Sequence, residues 1–474
     1  VHVGSEGASA RIDVTLIQYG QTDPALMANT QQQIEAILEQ ETVQAFHVRA
    51  HQATTIEFNF VAEDVPGCGY KTYFLVEKQP LATSNLALHG GGGWHMENEF
   101  LAVDINPEDG TLTLVDKLTA ARFSGLHCFV DGGDRGDEYN YCPPEVDQLI
   151  TAPASPPEIA WLEQGPVRWT IQVRQNYRLP AFLTSARSAR SQQAVEVPIS
   201  SQISLCRGVP RLDFRTEVDN KAADHRLRVH FPTPVHTACS EAEGTFDVVR
   251  RPLGVPGNTR DWIEQPVPTH PQKSFVDVNA GAIGLMLINR GLPEYEVLPE
   301  KDGSATIALT LLRCVGWLSR DDYPCRQGHA GPALETPEAQ CPGHHVFEYA
   351  LVPHAGTWQC AYLEAHAFNT PLRAISTQQH DGAMPLEQSL VMLQGKGLVL
   401  SAVKAAEAGD GLIVRFYNIT DQPTLARLQT YVPARSAALV NLAEQELREL
   451  PVDGSGAVAI ETKGKQIVTV RLMF

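Results

Sequence analysis

Apolar and polar residues alternate with a period of two along most of this 474-residue chain. Successive side chains of a strand point to opposite faces, so this period predicts strands that are buried on one face. The alternation is clearest in the segments VRWTIQVRQNYRL, VEVPISSQISLC, RLDFRTEVDN, AGAIGLMLINR, ATIALTLLR and HHVFEYALVPH. Loops with proline and glycine separate these segments, which favours antiparallel sheets stacked as a sandwich. The expected fold class is therefore all-β.

The pattern divides the chain into three expected domains. Residues 1–85 are expected to form a small β-domain with one helix. Residues 86–378 are expected to form a very large antiparallel sandwich, and residues 379–474 are expected to form an immunoglobulin-like sandwich of short strands. The helix is expected in DPALMANTQQQIEAILEQET, with Asp23 as its N-cap and Pro24 at its first position. The glycine run HGGGG at residues 89–93 predicts a flexible break between the first two domains.

One β-hairpin has a specific local signal. The alternating segments FLAVDINP and TLTLVDK flank the turn sequence EDG. An Asp-Gly pair between two alternating segments is typical of a tight hairpin turn, because glycine adopts the positive φ that such turns need.

The formal net charge of −18 limits the expected partners. An acidic surface repels phosphate backbones, so nucleic acid is not expected as a partner. No run of about 18 apolar residues occurs, so no membrane span is expected. The nine cysteines are scattered without a C-x-x-C pair. This is typical of reduced thiols and predicts a cytoplasmic location.

The segment DGGDRGDEYNY at residues 131–141 is the main candidate for a functional site. Residues 131–147 contain six acids and one arginine, a local net charge of −5. Three interpretations stay open. The segment is a solvated turn, a wall of a sugar pocket whose tyrosines stack on sugar rings while Asp, Arg and Asn bind hydroxyls, or a calcium site. The calcium signal is weak because the spacing departs from the D-x-D-x-D-G pattern.

Acid–base catalysis by the adjacent pair Asp137 and Glu138 is not expected. Neighbouring residues on an extended chain point in opposite directions, whereas a retaining glycosidase needs two carboxyl groups about 5 Å apart. The histidines near residues 225–236 and 344–354 do not have ligand spacing, so no metal site is expected in this chain. A second loop, SRDDYPCRQGHAGP at residues 319–332, repeats the combination of charge and aromatic residues, with Arg320 as its candidate contact.

Several segments carry a resemblance to a known family. ENEFLAVDINPEDGTLTLVDKLT, DGGDRGDEYNYCPPE, GPVRWTI, LLRCVGWLSRDD and FEYALVPHAGTW resemble the C-terminal β-region of bacterial α-mannosidases of glycoside hydrolase family 38. The resemblance covers the whole chain in order. It implies that the central sandwich is a super-sandwich of the galactose mutarotase type.

The resemblance also implies what lies elsewhere. Family members carry an N-terminal (β/α) catalytic barrel with the aspartate nucleophile and most zinc ligands, followed by a helix bundle. This chain shows no βα alternation, and its His344-His345 pair is followed by Val346, so we assign it neither a catalytic residue nor a zinc ligand. The chain begins VHVGSEGASARIDV, without an initiator methionine or signal pattern, and we expect it to be an internal piece of a longer polypeptide.

The expected role is therefore the C-terminal, non-barrel part of a zinc-dependent retaining α-mannosidase. Its expected partners are an α-mannoside glycan and the catalytic barrel and helix bundle of the same polypeptide. The candidate substrate-binding residues are Asp134, Arg135, Asp137, Glu138, Tyr139, Asn140, Tyr141 and Arg320. Two alternatives remain, a stand-alone carbohydrate-binding or interaction module and a mutarotase-like sugar enzyme.

Overall fold

The computed structural model describes residues 2–6, 9–16, 24–39, 45–52, 59–76, 93–259, 261–377 and 380–474. It divides the chain into two compact units, residues 1–60 and 61–474. Within the described ranges the structure is built mainly of strands, with two α-helices, which confirms the all-β fold class. Neither helix is long and apolar enough to cross a membrane.

The first unit is one small sheet with one helix. The sheet order is β1-β2-β3, with β1 antiparallel to β2 and β2 parallel to β3. Its elements are β1 (His2–Glu6), β2 (Ser9–Leu16), α1 (Pro24–Leu38) and β3 (Ala45–Gln52). The expected helix is confirmed and begins at Pro24, where a fixed φ and a missing N–H cost nothing. The proposed N-cap, Asp23, lies outside the described residues, as does most of HGGGG.

The part of the expected small β-domain at residues 59–76 contains little strand in the structure. Residues 59–68 contain no strand, and a short β4 (Gly69–Lys71) pairs instead with β23 near the C-terminal sandwich. Residues from 61 onward belong to the second compact unit. The expected domain boundaries, including the one at residue 85, stay predictions.

The second unit holds most of the strands. Its elements are β4 (Gly69–Lys71), β5 (His95–Glu97), β6 (Leu101–Ile105), β7 (Leu112–Asp116), β8 (Arg122–Leu126), β9 (Cys128–Gly133), β10 (Glu158–Gln164), β11 (Arg168–Pro180), β12 (Ala194–Cys206), β13 (Leu212–Asn220), β14 (His225–His236), β15 (Cys239–Glu243), β16 (Val248–Pro252), β17 (Thr269–Pro271), β18 (Phe275–Asn279), β19 (Gly281–Arg290), β20 (Glu294–Pro299), β21 (Ser304–Cys314), β22 (Gly343–Gly356), α2 (Tyr362–Asn369), β23 (Glu387–Ser389), β24 (Val391–Gln394), β25 (Leu398–Ala405), β26 (Leu412–Asn418), β27 (Thr424–Thr430), β28 (Ser436–Val440), β29 (Glu446–Leu450), β30 (Val458–Thr462) and β31 (Ile467–Met473).

Three sheets of this unit share one hydrophobic core. They are a nine-stranded sheet of order β10-β11-β12-β13-β22-β19-β18-β15-β16, a five-stranded sheet of order β17-β20-β21-β14-β9, and a four-stranded sheet of order β5-β6-β7-β8. The hairpin predicted around Asp109-Gly110 is confirmed, since β6 pairs antiparallel with β7 and Gly110 has a φ of +75°. The large antiparallel sandwich thus follows the period-two pattern of the sequence.

A stacked aromatic cluster occupies the centre of this core. The ring of Phe214 stacks on those of His127 and Tyr349, with centroid distances of 4.9 and 5.2 Å. The Tyr349 hydroxyl hydrogen-bonds Thr216 at 2.6 Å and His127 Nε2 at 2.9 Å. Burial without a charged partner lowers the pKa of His127 to about 3, so this ring is neutral in the folded protein.

The last strands form the expected C-terminal β-sandwich. A three-stranded sheet of order β24-β27-β30 and a five-stranded sheet of order β25-β26-β31-β28-β29 share a second core. Helix α2, which the sequence did not predict, packs Tyr362, Ala365 and Phe368 with side chains of the nine-stranded sheet and with Tyr417 of β26. It has only eight residues, so its helical period is too short to stand out from the surrounding pattern.

Candidate functional site

The acidic loop, defined as residues 131–147, leaves the edge of the five-stranded sheet. Its first residues belong to β9, and β9 pairs with β14 so that Gly133 lies opposite His225. Strand β14 also pairs with β21, which places Cys314 opposite His225. The acidic loop therefore starts beside the end of β21 and beside the second loop, defined as residues 319–332.

Asp134 is a buried anchor of the acidic loop. Its Oδ2 accepts a hydrogen bond of 2.8 Å from Nε of Arg313, and its Oδ1 accepts from the backbone N–H groups of Gly136 at 2.8 Å and Cys142 at 3.2 Å. Burial raises the pKa of the Asp134 carboxyl, while Arg313 and the two backbone donors act in the opposite direction. Three protein donors thus occupy this carboxylate.

Arg313, at the end of β21, also holds the backbone of the loop. Its guanidinium donates to the carbonyl oxygens of Asn140 at 2.6 Å and Glu138 at 3.3 Å, and to that of Asp137. Arg313 was not among the site residues predicted from the sequence, although an arginine at the end of an otherwise apolar strand can be recognised there. One planar cation therefore fixes both a side chain and three backbone groups of the acidic loop.

Asp137 is paired in the same way with the second loop. Its Oδ2 accepts from Arg326 at 2.5 Å and from the backbone N–H of Arg320 at 2.8 Å, and its Oδ1 accepts from the N–H groups of Tyr139 and Asn140. Burial disfavours ionisation, but the hydrogen bonds from Arg326 and these N–H groups outweigh it and lower the pKa of Asp137. The Arg326 guanidinium carbon lies 5.8 Å from the ring centre of Tyr139 and 5.5 Å from that of Tyr323.

Asp131 joins the start of the acidic loop to the side chains of Arg190 and His225. Its carboxylate pairs with Arg190 and lies 2.5 Å from Nδ1 of His225. The other ring nitrogen of His225 lies 3.1 Å from Oδ1 of Asn220. All of the charged atoms in this group are removed from solvent, so the start of the loop is fixed to β14 and to the segment before β12.

Three other predicted residues are held by neighbours. Asn140 donates from Nδ2 to Glu264 at 2.6 Å and accepts from Arg326. Arg135 pairs with Glu145 at 3.2 Å. The Arg226 guanidinium carbon lies 3.4 Å above the ring centre of Tyr141. These contacts give all three side chains a structural role inside the loop.

Seven of the eight predicted site residues fall into two groups within the acidic loop, and the eighth, Arg320, lies in the second loop. Asp134, Arg135, Asp137, Asn140 and Tyr141 form the inner frame of the acidic loop. Glu138 and Tyr139 form its exposed tip, with 52% of the Tyr139 surface accessible. Arg320 is partly exposed, lies 4.9 Å from the ring centre of Trp317 and pairs with Asp322 at 2.6 Å. Direct contact with a sugar stays a prediction, and the geometry favours it for Glu138, Tyr139 and Arg320.

The calcium interpretation gains no support from this geometry. Asp131, Asp134 and Asp137 are each paired with a different arginine instead of converging on one point. Across the described ranges, no group of three or more His, Cys, Asp or Glu side chains has the arrangement of a metal site. Asp131, Asp134 and Asp137 therefore act in this chain as partners of arginine side chains.

Comparisons with known proteins assign the chain to a family. Residues 96–323 match the glycosyl hydrolases family 38 C-terminal domain, and residues 397–470 match the glycosyl hydrolases family 38 C-terminal beta sandwich domain. The first match contains the acidic loop and reaches Tyr323 of the second loop.

The chain is also similar to longer individual proteins. It is 29% identical over 447 residues to "Putative mannosylglycerate hydrolase" of Halalkalibacterium halodurans, with 89% of this chain and 46% of that protein covered. It is 27% identical over 253 residues to alpha-mannosidase 2C1 of Homo sapiens, with 52% of this chain and 21% of that protein covered. The crystal structure of an alpha-mannosidase from Enterococcus faecalis V583 matches with a TM-score of 0.70 and 33% identity, covering 81% of this chain and 42% of that one.

The chain thus spans less than half the length of these relatives. Both matched regions are C-terminal domains of glycosyl hydrolase family 38. The chain belongs to glycosyl hydrolase family 38, as a C-terminal region of that family.

Proposed function

We propose that this chain is the non-catalytic C-terminal part of a retaining, zinc-dependent α-mannosidase, in which it supports the catalytic barrel and lends the acidic loop to the sugar site. The observation that carries the proposal is the division of the loop into an immobilised frame and an exposed tip. Two arginines from β21 and the second loop neutralise the buried carboxylates, and the tip presents Glu138 and Tyr139 to solvent.

The proposed contribution to the reaction is positioning. A tyrosine face can stack on a sugar ring, and a carboxylate can accept hydrogen bonds from hydroxyl groups. Because the frame is pre-organised, little ordering entropy has to be lost when substrate binds. The described residues provide no zinc site, so we place zinc, the nucleophile and the acid–base chemistry in another part of the polypeptide.

We further propose a cytoplasmic location and a mannoside substrate. The nine cysteines are free thiols, as expected for a reducing compartment. The similarities to proteins named mannosylglycerate hydrolase and alpha-mannosidase favour an α-linked mannose, with either a glycan or a small acid as the second half of the substrate. Comparing kcat/KM for an α-mannosyl glycan and for mannosylglycerate in the longer protein separates these two substrates.

The tip of the loop provides a direct test in the longer protein. Tyr139→Ala is expected to lower kcat/KM for an α-mannoside about 3- to 10-fold, because stacking of an aromatic face contributes about 0.5–1.5 kcal/mol. Tyr139→Phe keeps the ring and should retain most of the activity. Tyr431→Ala, which removes an equally exposed tyrosine of the C-terminal sandwich, is the matched control. Wild-type kinetics for Tyr139→Ala would show that the loop is not part of the substrate site.

The chain by itself is expected not to hydrolyse an aryl α-mannoside, with or without added Zn²⁺. The physical reason is that the buried carboxylates of Asp134 and Asp137 are paired with arginines and the described residues offer no metal-ligand group. The measurement is release of the aryl group over hours at high protein concentration, with a purified α-mannosidase as positive control. Turnover that co-purifies with the chain through several columns would contradict the proposal.

A carbohydrate-binding module is the second candidate, favoured by the same exposed tip. Titration calorimetry of the chain with α-mannosyl oligosaccharides decides between the two. Heat of binding that disappears in Tyr139→Ala favours the module, because a loop that only completes a shared site binds too weakly by itself to be detected.

A further inference from the structure

Two pairs of cysteines lie beside the loops of the candidate site. The thiol of Cys314 lies beside that of Cys341, and the thiol of Cys142 lies beside that of Cys325. The members of each pair are distant in sequence, and one member of each pair is buried while the other is partly exposed. All four are free thiols in this structure. Neither pair has a part in the proposed function.

The Cys314–Cys341 pair is held by further contacts. Nδ2 of Asn220 lies 3.5 Å from Sγ of Cys314 and 2.9 Å from the carbonyl oxygen of Cys341. The backbone N–H of Val315 donates to the carbonyl oxygen of Ala339 at 3.2 Å. The thiol of Cys341 donates to the same carbonyl oxygen of Ala339 at 3.5 Å. These bonds hold the end of β21 against the segment that precedes β22 and place the two cysteines side by side.

The two thiols of this pair differ in their chemistry. The hydrogen bond from Cys314, assisted by His345 and His225, lowers the pKa of Cys341 to about 6 against the effect of burial. The same contact and burial raise the pKa of Cys314 well above its usual value. The partly exposed member is therefore largely a thiolate at neutral pH, and the buried member is a protonated thiol beside it.

We propose that Cys341 and Cys314 form a thiol–disulfide redox centre that reacts with low-molecular-weight disulfides. The Cys341 thiolate attacks one sulfur of the small disulfide and releases one small thiolate, which leaves a mixed disulfide on Cys341. Cys314 then loses its proton, attacks Sγ of Cys341 and displaces the second small thiolate. In sum, two protein thiols are oxidised to one disulfide and the small disulfide is reduced to two thiols.

The disulfide would close the segment between the two cysteines at its base. This segment, residues 315–340, includes the second loop and therefore Arg326, which holds Asp137 and Asn140 of the acidic loop. A cross-link at the base reduces the freedom of the open segment far more than that of the folded one. Oxidation is thus expected to keep the two loops together.

The second pair serves as an internal comparison, because its exposure is reversed. Cys142, whose pKa is lowered to about 7 by the hydrogen bond from Cys325, is buried with 2% of its surface accessible. Cys325, whose pKa is raised, is the partly exposed member. The thiol that an oxidant can reach is therefore the protonated one, Cys325. This pair is expected to react more slowly than Cys314–Cys341.

The test uses the whole chain with oxidised glutathione at pH 6, alkylation at timed intervals and peptide mass spectrometry. At this pH about half of Cys341 is thiolate, compared with ~0.3% of an ordinary thiol. After allowance for the lower nucleophilicity of a low-pKa thiolate, Cys341 should react roughly tenfold faster than a cysteine in an unstructured peptide. The main product should be the Cys314–Cys341 disulfide, formed before any Cys142–Cys325 link.

Variants separate the two chemical steps. Cys314→Ser, which keeps a hydrogen-bond donor beside Cys341, should accumulate glutathione on Cys341. Cys341→Ser should form no link to Cys314, and Cys68→Ser should behave like the wild type. Protease cleavage within residues 315–340 should be slower in the oxidised wild type and unchanged in oxidised Cys341→Ser. The proposal is overturned if Cys341 reacts no faster than the peptide, or if folded Cys314→Ser gains no glutathione.

Discussion

Arg313→Met is expected to lower the free energy of unfolding by about 3–5 kcal/mol, because it leaves the Asp134 carboxylate buried without its counter-ion. The same change removes the donors to three backbone carbonyls of the acidic loop. The chemical midpoint of denaturation measures the loss. Hydrogen exchange at the amides of Gly136 and Asn140, which bond to the two aspartates, reports the opening of the loop itself.

The matched control for this change is Arg320→Met. Arg320 is paired with Asp322 in a partly exposed position, and such pairs contribute about 0–1 kcal/mol. The double variant Arg313→Met with Asp134→Asn should recover part of the stability, since it removes the buried charge as well as its partner. Equal stability of Arg313→Met and Arg320→Met would show that the acidic loop does not depend on its buried ion pair.

Acidification from pH 6.5 to 4.5 is expected to cost about 4–5 kcal/mol of stability through two histidines, His127, which is buried, and His230, which is partly buried. Burial lowers the pKa of His127 to about 3, and burial together with Arg228 and Arg226 does the same for His230. In the unfolded chain both have pKa values near 6.5, so between pH 6.5 and 3 the unfolded state binds more protons. The unfolding free energy therefore falls as the pH falls, by about 1.4 kcal/mol per pH unit for each histidine.

Denaturant unfolding at several pH values measures this slope, and His127→Asn identifies its source. Asparagine suits the left-handed backbone of this position, where φ is +66°. The variant is expected to lose about half of the pH dependence in this range, whatever its absolute stability. His354 is not a source of the slope: Asp277 raises its pKa against the effect of burial, so its stabilisation is complete below pH 6.5 and is lost only at higher pH. An unchanged slope in His127→Asn would show that this ring is hydrated in the folded protein.

Strands, hairpins and helices whose determining residues are close together in sequence were predicted well. The β6–β7 hairpin follows from alternation around Asp109-Gly110, and helix α1 follows from Pro24 and a run of good helix formers. The long strands β11 to β14 follow from period-two patterning, because one face of each meets the shared core. In all of these, the determining residues are neighbours in sequence.

The candidate site could be located from the sequence, but the roles of its residues could not be assigned. The cluster of acids, glycines and tyrosines is visible in the sequence. The sequence does not show which of its side chains are buried and which are exposed. Asp134 and Asp137 looked like hydroxyl acceptors because their partners, Arg313 and Arg326, lie 179 and 189 residues away along the chain. Helix α2 was missed for a similar reason, since its apolar residues find their partners on β19 and β22.

The sequence by itself determined the all-β class, the large antiparallel sandwich, the C-terminal sandwich and the position of the acidic loop, because periodicity and turn chemistry act between close neighbours. Only the tertiary structure decided that Asp131, Asp134 and Asp137 are counter-ions of Arg190, Arg313 and Arg326, and that Glu138 and Tyr139 form the exposed tip of the loop. The physical reason is that burial and ion pairing depend on which strand ends meet in space, and the pairing of β9, β14 and β21 brings these charges together.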